Sequence, residues 1–172
     1  YLKDMPKLMD LGAGRGTDIN KYSMFNIEEI IMVDDDIMAL QEVIVDRKIN
    51  IAKNQKAKFV PKIYIVKQDL TKNYLELYSN IIEQTNINKG KVNGVFISMA
   101  IHYFAFTDTL LDNLIKFINT VLETKGIIII SLLNGKKVFD LLKENNGEWK
   151  INPNKFHIEF EKKSINYDKF QK

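Results

Sequence analysis

Three glycines within five residues, set directly after an apolar run, constrain this chain more than any other feature. The stretch reads KLMDLGAGRGTD, Lys7 to Asp18. Lys7 to Gly12 has the character of a short buried strand that runs into a glycine-rich turn. Glycine at 12, 14 and 16 lets the backbone take positive φ and pass close to a ligand. The dinucleotide fingerprint is Gly-x-Gly-x-x-Gly. Here the third glycine comes one residue early, and Thr17 stands where the helix-packing glycine would be. That spacing disfavours a nicotinamide-cofactor dehydrogenase. Asp10, ahead of the first glycine, suits a ligand carrying an ammonium group rather than a pyrophosphate. The alternative is a tight strand–helix turn with no ligand.

The rest of the chain alternates in the same way. Asp18 to Phe25 reads as a short helix and Glu29 to Asp36 as a second strand ending in three carboxylates. A helix from Ile37 to about Ile51 follows, with Leu40, Ile44 and Val45 on one face. Lys62 to Leu70 reads as a third strand containing Asp69, Tyr74 to Gln84 as a helix, and Asn93 to Met99 as a fourth strand. Thr109 to Leu122 is a strongly amphipathic helix that Gly126 should close. Ile127 to Leu133 is apolar on both faces, as a central parallel strand would be. A helix over Lys136 to Lys143 and an antiparallel pair, EWKIN and FHIEFEKK, complete the pattern. Strand–helix alternation of this kind predicts an α/β fold with a doubly wound, mostly parallel sheet.

The chain has 172 residues and no Pro/Gly-rich linker, so a single domain over residues 1–172 is expected. Its longest apolar run, GIIIISLL, is too short to span a bilayer, and YLKDMPK lacks the apolar core of a signal peptide. No membrane role is expected. The absence of cysteine excludes disulfides and thiolate metal sites and fits a reducing compartment. The formal net charge of +3 permits a polyanionic partner without demanding one.

In doubly wound sheets ligands bind beyond the carboxyl ends of the strands, near the switch in strand order. The residues there are Gly12 to Gly16, Asp34 to Asp36, Asp69, His102 with Tyr103, and Asn134. Asp34 lies 18 residues beyond Gly16 (34 − 16), where an acid can accept both hydroxyls of a ribose. Asp35 and Asp36 are alternatives, and the cluster could instead cap the following helix. Asp69 could accept an adenine amino proton. His102 could equally be a partly buried core histidine.

Taken together, LMDLGAGRGTD, MVDDD, VKQDL, MAIHYF and GIIIISLLNGKKVFDLL resemble, in order and spacing, the mRNA cap guanine-N7 methyltransferases. The resemblance is closest to the methyltransferase portion of the capping enzymes of large DNA viruses. It covers about Lys7 to Lys163. The glycine loop and acids are shared with all class I S-adenosylmethionine (SAM) methyltransferases, whose fold is Rossmann-like. The fourth-strand His-Tyr pair and the Asn-Gly after the fifth strand narrow it to cap enzymes.

The resemblance implies methyl transfer from SAM to N7 of the guanine cap, with no metal. It implies donor contacts from Asp10, Gly12, Ala13, Gly14, Asp18, Asp34, Asp69, Leu70 and Met99. His102 would touch the guanine and Tyr103 would shape the space between base and donor. Guanine N7 has a free lone pair and no proton to lose, so neither residue need act as a general base.

The resemblance also implies capped RNA as partner, and covalently linked triphosphatase and guanylyltransferase domains. The expected location is host cytoplasm or virion, or the nucleus for a cellular enzyme. Other class I methyltransferases, acting on a small molecule or protein, and a degenerate regulatory subunit are the competing readings. The sequence departs from the family at Ser98 and Met99, where members usually carry Gln-Phe, and at Leu133, where proline is common. It begins after the family's Asn-Asn…Lys segment and ends before the last two strands of the fold, so a fragment of a longer polypeptide is expected.

Overall fold

The computed structural model describes residues 5–25, 27–53, 60–85, 91–145, 148–150 and 157–159. The chain forms two compact units, Tyr1–Leu132 and Leu133–Lys172. The first contains β1 (Lys7–Leu11), α1 (Ile19–Tyr22), β2 (Glu29–Asp34), α2 (Met38–Lys53), β3 (Lys62–Lys67) and α3 (Tyr74–Thr85). It continues through β4 (Val92–Ser98), α4 (Ile101–Phe104), α5 (Asp108–Val121) and β5 (Leu122–Ser131). The second holds α6 (Gly135–Glu144) and the antiparallel pair β6 (Glu148–Lys150) and β7 (His157–Glu159). The parts of the expected antiparallel segments at 151–152, 156 and 160–163 lie outside the described residues.

All five strands of the first unit run parallel, in the order β3-β2-β1-β4-β5. The α/β, doubly wound expectation therefore holds. Parallel strands are covered on both faces, so alternate side chains of each central strand feed two cores. Met9, Leu11, Ile31, Val33, Val95 and Ile97 join the buried side of α3 and α5. Leu8, Ile30, Met32 and Phe96 join α1 and α2 on the opposite face. The strand order reverses between β1 and β4, and the carboxyl ends of these two strands frame the site.

The amphipathic helix α5 buries Leu114, Phe117, Ile118 and Val121, a spacing of three and four residues that puts all of them on one stripe. Thr107 caps it, its hydroxyl accepting from the Leu110 N–H at 3.2 Å. The helix ends at Val121 and the chain turns at once into β5, so Gly126 does not close it but lies within the strand. Lys125 takes φ +71° there, and the register with β4 shifts between Val92 and Gly94.

The expectation of a centrally buried fifth strand is also corrected. Among the described residues β5 pairs only with β4, and Ile127, Ile128 and Ile130 remain exposed. Two-sided apolar character marks a strand that could be covered on both faces. It does not say that both neighbours lie within the segment.

Asn113 ties α5 to the start of α3. Its side-chain oxygen accepts from Tyr74 N–H at 2.8 Å and its amide donates to the Lys72 carbonyl at 2.6 Å. Asn113→Ala leaves both backbone groups without these partners. It should lower stability by about 1–2 kcal/mol, seen as a lower urea midpoint at unchanged slope. An unmoved midpoint would mean that packing alone holds this turn.

Candidate functional site

The loop after β1 is bound to the end of β2 by backbone groups. Gly12 and Ala13 both donate to the Val33 carbonyl, at 2.9 and 3.2 Å, and Gly16 donates to the Ala13 carbonyl at 2.9 Å. Gly12 and Gly16, at φ +74° and +61°, are required on two counts. A Cβ on Gly12 would lie 2.4 Å from Cβ of Ala100, and one on Gly16 would lie 2.7 Å from Ile19 Cδ1 and 2.8 Å from Leu40 Cδ1. At Gly14 a Cβ would meet nothing within 4 Å. Two of the glycines therefore serve close packing, and the middle one leaves its backbone open.

Asp34, the last residue of β2, joins this loop. Its Oδ2 accepts from Gly14 N–H at 2.7 Å and its Oδ1 from Asp36 N–H at 3.0 Å. Asp36 in turn accepts from Met38 N–H at 3.2 Å and so caps α2. The carboxylates after β2 thus divide between the loop and the helix. Arg47 on α2 adds a further brace, donating from Nε to the Arg15 carbonyl at 2.7 Å.

Between these elements lies a cavity of about 590 Å³. Of the residues anticipated from sequence, Gly12, Gly14, Asp34, Asp69, Leu70, Met99 and Tyr103 line it. Asp69 falls two residues beyond β3, which ends at Lys67, and not within a strand. Its Oδ1 accepts from the Thr71 N–H and hydroxyl, at 2.9 and 2.6 Å, and these bonds hold its carboxyl below the usual range. Met99 takes φ +56°, uncommon for a residue with a side chain, while its N–H donates to the Ser131 carbonyl at 2.7 Å.

Four anticipated residues do not line the cavity. Ala13 packs against the α1/α2 core. Asp18 pairs with Lys21 and leaves the start of α1 without a side-chain cap. Asp10 is 3% exposed on the α1/α2 side of the sheet and accepts from the Tyr22 hydroxyl at 3.0 Å. Tyr22 is itself held edge-on to Phe96, with ring centroids 5.6 Å apart. Burial pushes the Asp10 carboxyl up from 3.8 to about 7; the Tyr22 hydrogen bond opposes this, and the charges of Asp18 and Asp34 add to it.

His102 is the fourth. It stands exposed on α4, its ring tilted 40° against that of Tyr103 with centroids 4.0 Å apart. It is in neither a strand nor the core. Tyr103 itself is 70% exposed.

Arg15, within the anticipated Gly12 to Gly16 segment, also lines the cavity; sequence reasoning missed Ala39, Gln68, Thr71, Ala100 and Phe104. Gln68, beside the recognised Asp69, carried a signal, since an amide at a strand end is available to a ligand. It is largely buried, and Asn80 donates to its side-chain oxygen at 2.9 Å. The apolar ones carried none, because they read as ordinary core.

A parallel sheet in this order, with a glycine loop after β1 and an acid ending β2, is the fold of a class I SAM-dependent methyltransferase. Two solved enzymes of that description share it. One is from Clostridium acetobutylicum (TM-score 0.53, 14% identity, 79% of this chain and 46% of that one). The other is from Mesorhizobium loti (TM-score 0.51, 15% identity, 76% and 48%). Within that class the assignment goes further: residues 2–171 match the mRNA (guanine-N(7))-methyltransferase domain, and the chain belongs to this family. The mRNA-capping enzyme of African swine fever virus is 28% identical over 141 residues, which are 82% of this chain and 16% of that protein. A probable mRNA-capping enzyme of Acanthamoeba polyphaga mimivirus is 28% identical over 156 residues, covering 83% and 13%. The chain thus spans less than a fifth of the length of these relatives.

The burial of Asp10 has a consequence for stability. Its folded pKa lies above its ordinary value, so the unfolded chain holds fewer protons between about pH 3.8 and 7. The stability that this group confers is fully present below about 3.8 and is lost as pH rises to about 7. Asp10→Asn cannot titrate. Urea unfolding over that range should show the variant gaining on the wild type by an amount on the order of 4 kcal/mol, then no further. Parallel stability curves would mean that Asp10 ionises as freely in the folded protein as in the unfolded chain.

Proposed function

We propose that this chain transfers a methyl group from SAM to N7 of the guanine cap of mRNA. One observation carries the reading beyond family membership. The cavity at the switch between β1 and β4 has a glycine loop and acids along one side and an exposed tyrosine, Tyr103, on the other. These residues fit a nucleoside with a cationic tail. Gly14 leaves backbone open, Asp34 can accept ribose hydroxyls, Leu70 and Met99 can cover a base, and Asp69 can accept an amino proton. Asp10 does not line the cavity, but it lies two residues before Gly12, which does, and close enough to feel the charge of Asp34; it is read as the partner of the donor's ammonium group.

When bound, SAM supplies an electrophilic methyl on a sulfonium, open to in-line attack by the N7 lone pair. The chain's own residues have no proton to remove. Their task is placement, which can supply about 7–11 kcal/mol in favourable cases. Tyr103 offers a ring face to a guanine that becomes cationic as the methyl arrives, and the exposed His102, tilted against that ring, is read as touching the guanine. The family and the capping-enzyme relatives support capped RNA as acceptor. The greater length of those relatives supports a setting beside linked triphosphatase and guanylyltransferase activities, in the host cytoplasm or virion.

Asp34→Asn keeps the side chain's shape and removes its charge. SAM binding, measured by calorimetry, should weaken by about 1.5–3 kcal/mol, whereas Asp36→Ala should act only on α2. Equal SAM affinity in the Asp34 variant, with the loss appearing at Asp36, would transfer the ribose to the second acid.

The acceptor side is tested by methyl transfer to capped RNA in the full-length polypeptide. His102→Ala should cut turnover by a factor of about 100 or more with SAM affinity unchanged, as expected for misplacement. Tyr103→Phe should be milder than Tyr103→Ala, because the ring face is retained. Wild-type turnover in His102→Ala, or transfer to an uncapped small molecule in preference to capped RNA, would defeat the assignment.

A further inference from the structure

We propose that Tyr22 is a positioning residue for the methyl donor: its hydroxyl, donated to the Asp10 carboxylate buried behind the glycine loop, fixes that carboxylate for the donor's ammonium group to meet. The inference rests on the donor site proposed above and adds to it a residue and a pH dependence. Tyr22 and Asp10 are 1% and 3% exposed, and their oxygens lie 3.0 Å apart. α1 is only four residues long, so its placement relies on what its side chains contact. Tyr22 provides that contact twice, with its ring edge-on to Phe96 of β4 and its hydroxyl on Asp10 of β1.

Among the described residues, Tyr22 is the one group that favours the charge of Asp10. Beside it in the sheet stand Met32 of β2 and Phe96 of β4, both uncharged. The charged groups that act on it, Asp18 and Asp34, are of like sign, and Lys21 on α1 is already paired with Asp18. Burial brings the carboxyl up to about 7, and the Tyr22 hydrogen bond is the one influence in the opposite direction. A donor ammonium requires the ionised form. An α-amino group itself loses its proton near about 7.7–8.0. Donor affinity should therefore rise through an acid limb set by Asp10 and fall through an alkaline limb set by the ligand.

Tyr22→Phe keeps the ring and its contact with Phe96 and removes only the hydroxyl. Calorimetry across pH on the full 172-residue chain would use two ligands: SAM, and 5′-methylthioadenosine, which lacks the ammonium and carboxylate. Carboxyl NMR of the ligand-free protein would follow Asp10 directly. Tyr22→Phe should weaken SAM about tenfold near pH 7 and move the acid limb and the Asp10 titration up by about one pH unit. Affinity for 5′-methylthioadenosine should not change. Asp10→Asn should weaken SAM and abolish the acid limb, and adding Tyr22→Phe to it should weaken SAM no further.

Equal losses for the two ligands would reduce Tyr22 to a packing residue and overturn the proposal. So would an unmoved Asp10 titration, or unchanged SAM affinity in Tyr22→Phe where the wild type binds. A wild-type chain that does not bind SAM would overturn the donor site itself, a result separate from any behaviour of the variant.

Discussion

Where β1 and β4 part at their carboxyl ends, the backbone of Gly12 passes so near Ala100 that a Cβ would come within 2.4 Å of its methyl. Everything at the site follows from that approach. It lets the loop fold back onto the Val33 carbonyl, which brings Gly14 N–H to Asp34. It lets Ala100, just before α4, close in on β1, which sets Tyr103 and Phe104 along the same cavity as the loop. A side chain at position 12 would push apart the two strands whose divergence makes the cleft. The glycine loop and the wall that carries Tyr103 are thus fixed by one steric contact, not by two independent devices.

The fold was legible because its evidence is periodic. Alternation within β1, β2 and β4 and the stripe on α5 are repeated signals, and the elements of the first unit lie near their expected places except α4, which was not expected, and β5, which begins at Leu122 and not at Ile127. Two features were misjudged for a common reason: they depend on a partner far away in sequence. The contact of Asp10 with Tyr22, twelve residues on, is of the same kind and carried no signal in the sequence. β5 reads as central because its side chains are apolar, yet its position is set by which strands pair with it. Gly126 reads as a helix stop, whereas the chain had already left the helix and needed room at a register shift. His102 was ambiguous because a four-residue helix is too short to show a period.

The acids of the site show how one residue type is given different states. Asp69, near the surface and held by Thr71, is kept ionised to lower pH than an ordinary carboxylate. Asp10, removed from water and facing like charges, is driven the other way, to about 7. Asp34 spends its oxygens on the backbone of the loop and of its own turn. Among the described residues lining the cavity, Arg15 is the one basic side chain against Asp34, Asp35, Asp36 and Asp69. The balance favours a ligand with positive charge and disfavours a pyrophosphate, which agrees with the departure of the loop from the dinucleotide spacing.

The two sides of the cleft therefore stand in different relation to the fold. The donor side is built from core: Gly16 packs on Ile19 and Leu40, Asp10 on Tyr22, and the loop on the end of β2. Changes there alter donor affinity and global stability together, since the same contacts serve both. The acceptor side is a short helix whose histidine and tyrosine are exposed and touch each other. Changes there leave the core intact. The proposed reaction, which needs no base, can use this division: a donor would be held by a rigid frame whose geometry the sheet enforces, and an acceptor would meet it across a surface that can change without unsettling the fold. The general class is encoded in the loop and the sheet, and on the proposed reading the choice of acceptor is left to a few exposed side chains.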